Sequence, residues 1–160
     1  MAVFVSRQAT TSPSRIMMRI HFVVPGKAIA QPRHRFRKDV SGNRRPYIPA
    51  SHPVHAFKSH VQIEYRRAAA GTLLRPAVEC FTGPVKVEIH ALLARSKKGT
   101  EYWATDRKFD LDNMAKAVLD ALNKLAYADD SQVCFLDVRK TYTDGNDRTV
   151  VALTDMSADF

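Results

Sequence analysis

The segment Val85–Ala94 reads VKVEIHALLA, and it decides how the neighbouring segments are interpreted. Val85, Val87 and Ile89 alternate with polar residues, which is typical of a strand with one buried face. Residues 56–70 and 112–125 carry apolar side chains at helical spacing instead. The sequence therefore predicts a strand between two helices. The apolar face of the second helix is formed by Met114, Ala117, Val118, Ala121, Leu122 and Leu125.

Three further strands are predicted outside this unit. Residues 19–24 (RIHFVV) form one, which Pro25 and Gly26 stop. Residues 133–143 and 148–154 flank an Asp-Gly-Asn-Asp turn, a pattern that predicts a hairpin. Residues 27–49, rich in Pro and Arg, and residues 95–109 are predicted to be loops. We expect a single α+β domain with a mixed sheet of about four strands covered by two main helices.

The boundaries of that domain follow from composition. Residues 1–18 are rich in Ser, Thr and Arg, contain no acid and show no period. They are predicted to be a disordered leader, with Met17 and Met18 as alternative start sites. Residues 19–160 are expected to form the folded domain.

Composition excludes several classes of protein. Of 160 residues 45% are hydrophobic, which is enough for a core without cross-links. Two cysteines far apart, Cys80 and Cys134, argue against a disulfide framework and a cysteine-rich zinc site, and we expect both to be inert core thiols in a reducing compartment. No apolar run approaches the roughly 20 residues of a membrane span.

The net charge of +9 is concentrated at one end of the chain. Residues 1–52 hold ten Lys/Arg and one acid, Asp39, whereas the remaining residues are balanced. Such asymmetry indicates a polyanionic partner, although a basic solubilising tail would show the same composition.

Residues 109–133 read FDLDNMAKAVLDALNKLAYADDSQV and contain a cluster of acids. Asp110 and Asp112 are two apart and face the same side if the segment is extended. Asp112 stands where a helix N-cap belongs, and Lys116 follows one turn later. A loop after the helix carries Asp129 and Asp130, and it returns to the first pair if the next strand lies beside the segment leading into Asp110.

Carboxylates and a lysine form an oxygen-rich site that suits Mg²⁺, with Mn²⁺ as a substitute, and phosphodiester hydrolysis. Each residue also has an ordinary structural interpretation. Asp112 alone would be a helix cap, Lys116 and Asp120 a surface pair, and Asp129-Asp130 a turn.

The order Asp-x-Asp-Asn, Lys116, Asp-Ala-Leu at 120–122 and Asp-Asp-x-Gln-Val at 129–133 resembles the signature of the RusA family of Holliday-junction resolvases. The family's opening is resembled more loosely by Lys27, residues 31–36 and residues 47–49. Gln31 is followed directly by Pro32, and His34 stands where a proline is common. The resemblance covers about residues 20–155.

The resemblance implies roles for individual residues. Asp110, Asp112 and Asp130 would bind the metal and act in catalysis, with Asp129 as the fallback for the third carboxylate. Lys116 would be catalytic. It also implies a homodimer that resolves four-way DNA junctions by paired nicks in recombination and repair. The alternatives are a nuclease of the same fold acting on flaps or other branched DNA, and a catalytically silent DNA-binding protein.

Two further groups are candidates for contact with DNA. The basic segment predicts phosphate contacts, or else a solvated loop; its members are Lys27, Arg33, Arg35, Arg37, Lys38, Arg44 and Arg45. The aromatic residues Tyr102, Trp103 and Phe109 either stack on DNA bases or cover the core, and for Trp103 we favour the core. A cytoplasmic location is expected, nucleoid-associated or phage-encoded in a bacterial host.

Overall fold

A computed structural model of the chain describes residues 18–70, 80–96, 99–105 and 110–157. All but the last residue of the predicted leader lie outside these ranges. The elements in chain order are β1 (Arg19–Pro25), β2 (Arg35–Lys38), β3 (Arg44–Tyr47), α1 (Val54–Ala69), β4 (Val85–Ala94), α2 (Leu111–Leu122), β5 (Val133–Thr143) and β6 (Arg148–Asp155), with a short 3-10 turn at Asp130–Gln132 before β5.

The main sheet has four strands in the order β1-β6-β4-β5. Strand β6 pairs antiparallel with both β1 and β4, whereas β4 and β5 are parallel. The helix α2 forms the crossover between the parallel pair, as such a connection requires. The prediction of a single-domain α+β fold with a mixed sheet of about four strands is confirmed.

The predicted hairpin of the last two strands is wrong, because β4 lies between β5 and β6. The four-residue link must therefore span two strand spacings, about 10 Å, rather than one. It does so across the end of β4. The Ala94 amide donates to the Asp147 carboxylate over 2.7 Å, and the Arg95 amide donates to the Thr143 carbonyl over 2.8 Å.

One face of the sheet and both helices share a single core. Alternate residues of β1 and β4 are buried, which is the predicted period of two. Helix α1 buries Phe57, Val61 and Tyr65, and the Tyr65 ring meets Phe22 of β1 edge to face at 6.0 Å. Five of the six residues predicted for the apolar face of α2 are buried in the same core. The two helices therefore cover one face of the sheet.

Helix α2 ends at Leu122, three residues before the predicted end. Lys124 adopts a positive φ of 60°, which breaks the helical path. Leu125 nevertheless packs against the core from the following turn, so the apolar period continues past the helix itself.

The predicted loop 27–49 contains a two-stranded ribbon, β2 paired antiparallel with β3. Seven of its eight residues are exposed, and Tyr47 is half-buried. Because neither face is buried, the sequence lacks the apolar alternation that normally identifies a strand.

Two smaller expectations are also settled. Cys134 is exposed and Cys80 is partly exposed, so the prediction of two core thiols is wrong. No helix within the described residues is long and apolar enough to cross a membrane.

Candidate active site and nucleic-acid interface

Two exposed carboxylates stand at the start of α2. Asp110 is the N-cap residue, with an extended backbone, and Asp112 lies in the first turn. The prediction that Asp112 is the cap is therefore wrong by two residues. The Asn113 side chain donates to Oδ2 of Asp110 over 3.3 Å and orients that carboxylate. Both carboxylates lie where the helix dipole stabilises negative charge.

Lys116 follows Asp112 by one helical turn and is exposed. Its expected partner, Asp120, is engaged elsewhere, because Nζ of Lys58 on α1 lies 3.0 Å from Oδ2 of Asp120. The interpretation of Lys116 and Asp120 as a surface helix pair is wrong. Within the described part of the chain Lys116 makes no ion pair, so its ammonium group is available beside Asp112.

Asp129 and Asp130 have different environments although they are adjacent. Asp129 caps the 3-10 turn and accepts from the Ser131 amide over 3.0 Å. Hydrogen bonds from the side chain and backbone of Ser131 hold the pKa of Asp129 below its ordinary value. Asp130 is exposed and performs no such capping.

Gln132 is a positioning residue that inspection of the acids alone missed. Its side-chain oxygen accepts from the Asp129 amide over 3.1 Å, which completes a capping box. Its amide nitrogen donates to the carbonyls of Phe81 and Gly83 over 3.1 and 3.0 Å. The loop is thereby fixed to the segment that enters β4. The Asp-x-x-Gln spacing was the signal available in the sequence.

The surroundings of Asp130 connect it to α2. Burial raises the pKa of Tyr127, and the charges of Asp130 and Asp120 raise it further. The Tyr127 hydroxyl donates to the Leu119 carbonyl over 3.0 Å, so this ring lies between the Asp130 loop and the helix. A β-bulge at Cys134, the extra residue between the Val85–Val133 and Lys86–Phe135 pairs, bends β5 just after the loop.

The donor chemistry fits a hard divalent cation, since the exposed side chains are carboxylates. Among the described residues, however, no three His, Cys, Asp or Glu side chains are close enough together to hold a metal ion. The metal set Asp110, Asp112 and Asp130 stays a prediction.

The segment leading from β4 towards Asp110 does lie beside β5. The Tyr142 amide donates to the Tyr102 carbonyl over 2.8 Å, and Trp103 pairs with Thr141. Trp103 is 61% exposed, so the expectation that it covers the core is wrong. Phe109 lies outside the described residues.

The ribbon of β2 and β3, with the coil before it, carries the basic residues. Lys27 and Arg33 are exposed in the coil. On the ribbon, Arg44 lies over the Phe36 ring at 5.1 Å and Arg37 over the Tyr47 ring at 5.7 Å. Arg35 and Lys38 are exposed beside them.

Asp39 organises the tip of the ribbon. Its carboxylate accepts from the amides of Ser41 and Asn43, and Nε of Arg45 lies 2.8 Å from it. The side-chain hydrogen bond from Arg45, followed by the backbone bond from Asn43, lowers the pKa of Asp39. Gly42, at φ +79°, supplies the left-handed turn residue. Arg45 is therefore partly neutralised, unlike its neighbours on the ribbon.

The coil is attached directly to the acidic end of α2. The Gln31 amide donates to the Asn113 carbonyl over 2.8 Å, and Gln31 is 7% exposed. Asn113 therefore contacts Asp110 through its side chain and the coil through its backbone. Basic and acidic groups are consequently held on one structural unit.

Known proteins share this arrangement of sequence. The model of the endodeoxyribonuclease RusA family matches residues 25–154. An uncharacterized protein of Bacillus subtilis (strain 168), YqaN, is 31% identical over 152 residues, covering 87% of this chain and 98% of YqaN. A crossover junction endodeoxyribonuclease rusA of Lactococcus phage r1t is 35% identical over 82 residues, covering 49% of this chain and 61% of that protein.

The family match includes both acidic segments, α2 and the basic ribbon. The resemblance found in the sequence motifs is confirmed, and the chain belongs to the RusA family of endodeoxyribonucleases.

Proposed function

We propose that this protein is a divalent-metal-dependent endonuclease that resolves four-way DNA junctions. The observation that carries the proposal is the N-terminus of α2, where two exposed carboxylates are followed one turn later by a lysine without an ion pair among the described residues. The family membership and the name of the phage relative support the same substrate class.

Asp110, Asp112 and Asp130 are the proposed ligands of Mg²⁺, with Mn²⁺ as a substitute. Asp130 is preferred to Asp129 as the third ligand because the Asp129 carboxylate already caps the 3-10 turn. When bound, the metal would polarise the scissile phosphate and lower the pKa of the attacking water. Asn113 fixes the orientation of one ligand in advance.

Lys116 is the proposed catalytic cation. Its ammonium group stands on the same helical face as Asp112 and is not neutralised by Asp120. A positive charge at this position stabilises the extra negative charge that develops on the phosphate in the transition state. The partner of Asp120, Lys58, has a structural role instead.

The basic coil and ribbon are the proposed phosphate-contacting surface. Their cations are Lys27, Arg33, Arg35, Arg37, Lys38 and Arg44, with a reduced contribution from the paired Arg45. Such contacts position DNA without selecting its sequence. The bond from Gln31 to Asn113 fixes this surface relative to the acidic site.

We further propose a homodimer that makes paired nicks, since one site would have to dissociate and rebind to cut two symmetric strands. Recombination and repair are the processes in which four-way junctions occur. A DNA substrate places the proposed activity in the cytoplasm of a bacterium, whether the gene is cellular or of phage origin.

The test is cleavage of a synthetic mobile four-way junction beside a flap and a linear duplex, with Mg²⁺ and with EDTA. We expect symmetric cuts in the junction with Mg²⁺ alone. Preferential cutting of the flap would favour the flap-nuclease alternative. Junction binding without cleavage in either Mg²⁺ or Mn²⁺ would favour a catalytically silent binding protein.

A further inference from the structure

Tyr102 and Trp103 form an exposed aromatic pair on the surface of the protein. The two residues are 57% and 61% exposed, and their rings meet edge to face with centroids 4.9 Å apart. Large rings left in water forgo the free energy of burial, so adjacent exposed aromatics indicate a contact that the isolated chain does not make.

The backbone beneath the pair is fixed. The Tyr142 amide donates to the Tyr102 carbonyl over 2.8 Å, and the Ala104 amide donates to the Lys140 carbonyl over 3.4 Å. Ala104 itself is buried. The segment is thus held against the outer edge of β5, and its exposed rings are presented at low entropic cost to a ligand.

The charges near the pair indicate a nucleic acid. Trp103 pairs with Thr141, and the two residues before Thr141 on β5 are Arg139 and Lys140. In sequence, residues 95–108 contain five Lys/Arg and two acids. Aromatic faces bordered by cations are the combination that binds unpaired nucleobases together with their phosphates.

We propose that Tyr102 and Trp103 form a stacking platform for unpaired nucleobases at the branch point of the DNA, an inference that rests on the proposed function. The reach is adequate. Seven residues separate Trp103 from Asp110, so their Cα atoms lie at most about 25 Å apart. That distance is about seven base pairs at 3.4 Å each, and one DNA molecule can contact both the platform and the carboxylates.

Trp103 is the single tryptophan of the chain, so its emission reports directly on the platform. The full-length protein is titrated in EDTA with a four-way junction, a linear duplex of matched sequence and an oligo(dT) strand. We expect strong quenching at saturation by the junction and by oligo(dT), and weak quenching by the duplex, because paired bases offer no free face.

Variants separate stacking from general DNA binding. Trp103→Ala should weaken junction binding by about 5- to 100-fold, the range for loss of one stacked base, and duplex binding by less than about twofold. Trp103→Phe keeps a ring and should recover most of the affinity. Ile63→Ala, which removes a 42% exposed apolar side chain from α1, is the control and should leave both affinities unchanged.

Three outcomes would overturn the platform. If the wild type binds and cuts junctions while Trp103 emission stays constant and Trp103→Ala binds equally well, the platform alone is wrong. If emission shifts to the blue as free protein is concentrated, and Trp103→Ala sediments as a smaller species, the pair contacts a second copy of the chain instead. If the wild type neither binds nor cuts junctions, the proposed function fails as well.

Discussion

Lys58 of α1, and not Lys116 one turn away on the same helix, holds the Asp120 carboxylate, with an N–O distance of 3.0 Å. This ion pair joins the two helices, and it is only partly exposed. The two lysines near Asp120 therefore have separable roles, which a pair of substitutions can test.

We expect Lys116→Ala to lower the cleavage rate of a four-way junction by more than tenfold, with little change in affinity or Tm. The physical reason is that its charge acts mainly as the transition state forms. Single-turnover kinetics with saturating enzyme measure the rate without interference from binding. A loss of affinity large enough to explain the slower rate would make Lys116 a binding residue.

Lys58→Ala is the matched control for that experiment. It should lower Tm by about 2–4 °C, corresponding to about 1 kcal/mol for a chain of this size, while single-turnover cleavage stays close to that of the wild type. A cleavage defect as large as that of Lys116→Ala would show that Asp120, or its pairing, contributes to the active site.

Replacing any one of Asp110, Asp112 or Asp130 by Asn should abolish cleavage in Mg²⁺ and leave junction affinity unchanged or higher. Each substitution removes a metal ligand and also removes a negative charge that repels the phosphates. Gel-shift titration and cleavage assays on the same preparations separate the two effects. Normal turnover of one variant would remove that residue from the metal set.

Asp129→Ala and Asp130→Ala should differ in kind. Loss of the Asp129 cap should lower Tm by a few degrees, because the 3-10 turn loses its bond to the Ser131 amide. Asp130→Ala should keep the wild-type Tm and lose cleavage. Thermal unfolding and cleavage measured together decide the assignment, and a reversed pattern would make Asp129 the third ligand.

The depressed pKa of Asp129 adds a pH dependence to this comparison. A carboxylate whose pKa is lower in the folded state stabilises the protein above its unfolded pKa, and the stabilisation is lost as the pH falls through the folded pKa. The Tm difference between wild type and Asp129→Ala should therefore shrink below pH 4. A difference that stayed constant down to pH 2 would contradict the ionised cap.

The triple substitution of Arg33, Arg35 and Arg37 by Ala should weaken binding to junction and duplex alike. The slope of log affinity against log salt should become shallower by about 2 to 3 units, since each lost phosphate contact releases about 0.9 fewer counterions. Arg45→Ala is the comparison and should change the slope less, because Asp39 already pairs with Arg45. An unchanged slope in the triple variant would remove the ribbon from the DNA interface.

Sedimentation of the free protein tests the proposed homodimer. We expect a dimer at micromolar concentration, and symmetric nicks from a single binding event. A monomer under those conditions would contradict the proposed assembly and leave the chemistry of the single site unaffected.

The parts of the fold that sequence predicted are those with a buried face. Val87 and Ile89 alternate because one side of β4 faces the core, and the α2 residues repeat at helical spacing for the same reason. The ribbon was missed because residues such as Arg35 and Arg44 bury nothing. Its only local signal was the turn at Asp39 and Gly42, where a side-chain cap and a positive φ reverse the chain.

The β5–β6 hairpin failed for a different reason. Asp144 and Gly145 form an ordinary turn sequence, but the insertion of β4 between the strands is a long-range pairing that no local pattern encodes. The site was predicted at the level of residue types and chain order. The cap at Asp129, the Lys58–Asp120 pair and the exposure of Trp103 depend on tertiary packing, and the sequence alone did not reveal them.

The position of β6 also determines when the protein can fold. Within the described residues β6 is the strand that joins β1 to the rest of the sheet, pairing Arg19 with Thr154 from opposite ends of the chain. A nascent chain still lacking β6 holds β1 and β4 without the strand that belongs between them. Pairings of such high sequence separation fold slowly, so the sheet is completed only after the C-terminal strand has left the ribosome.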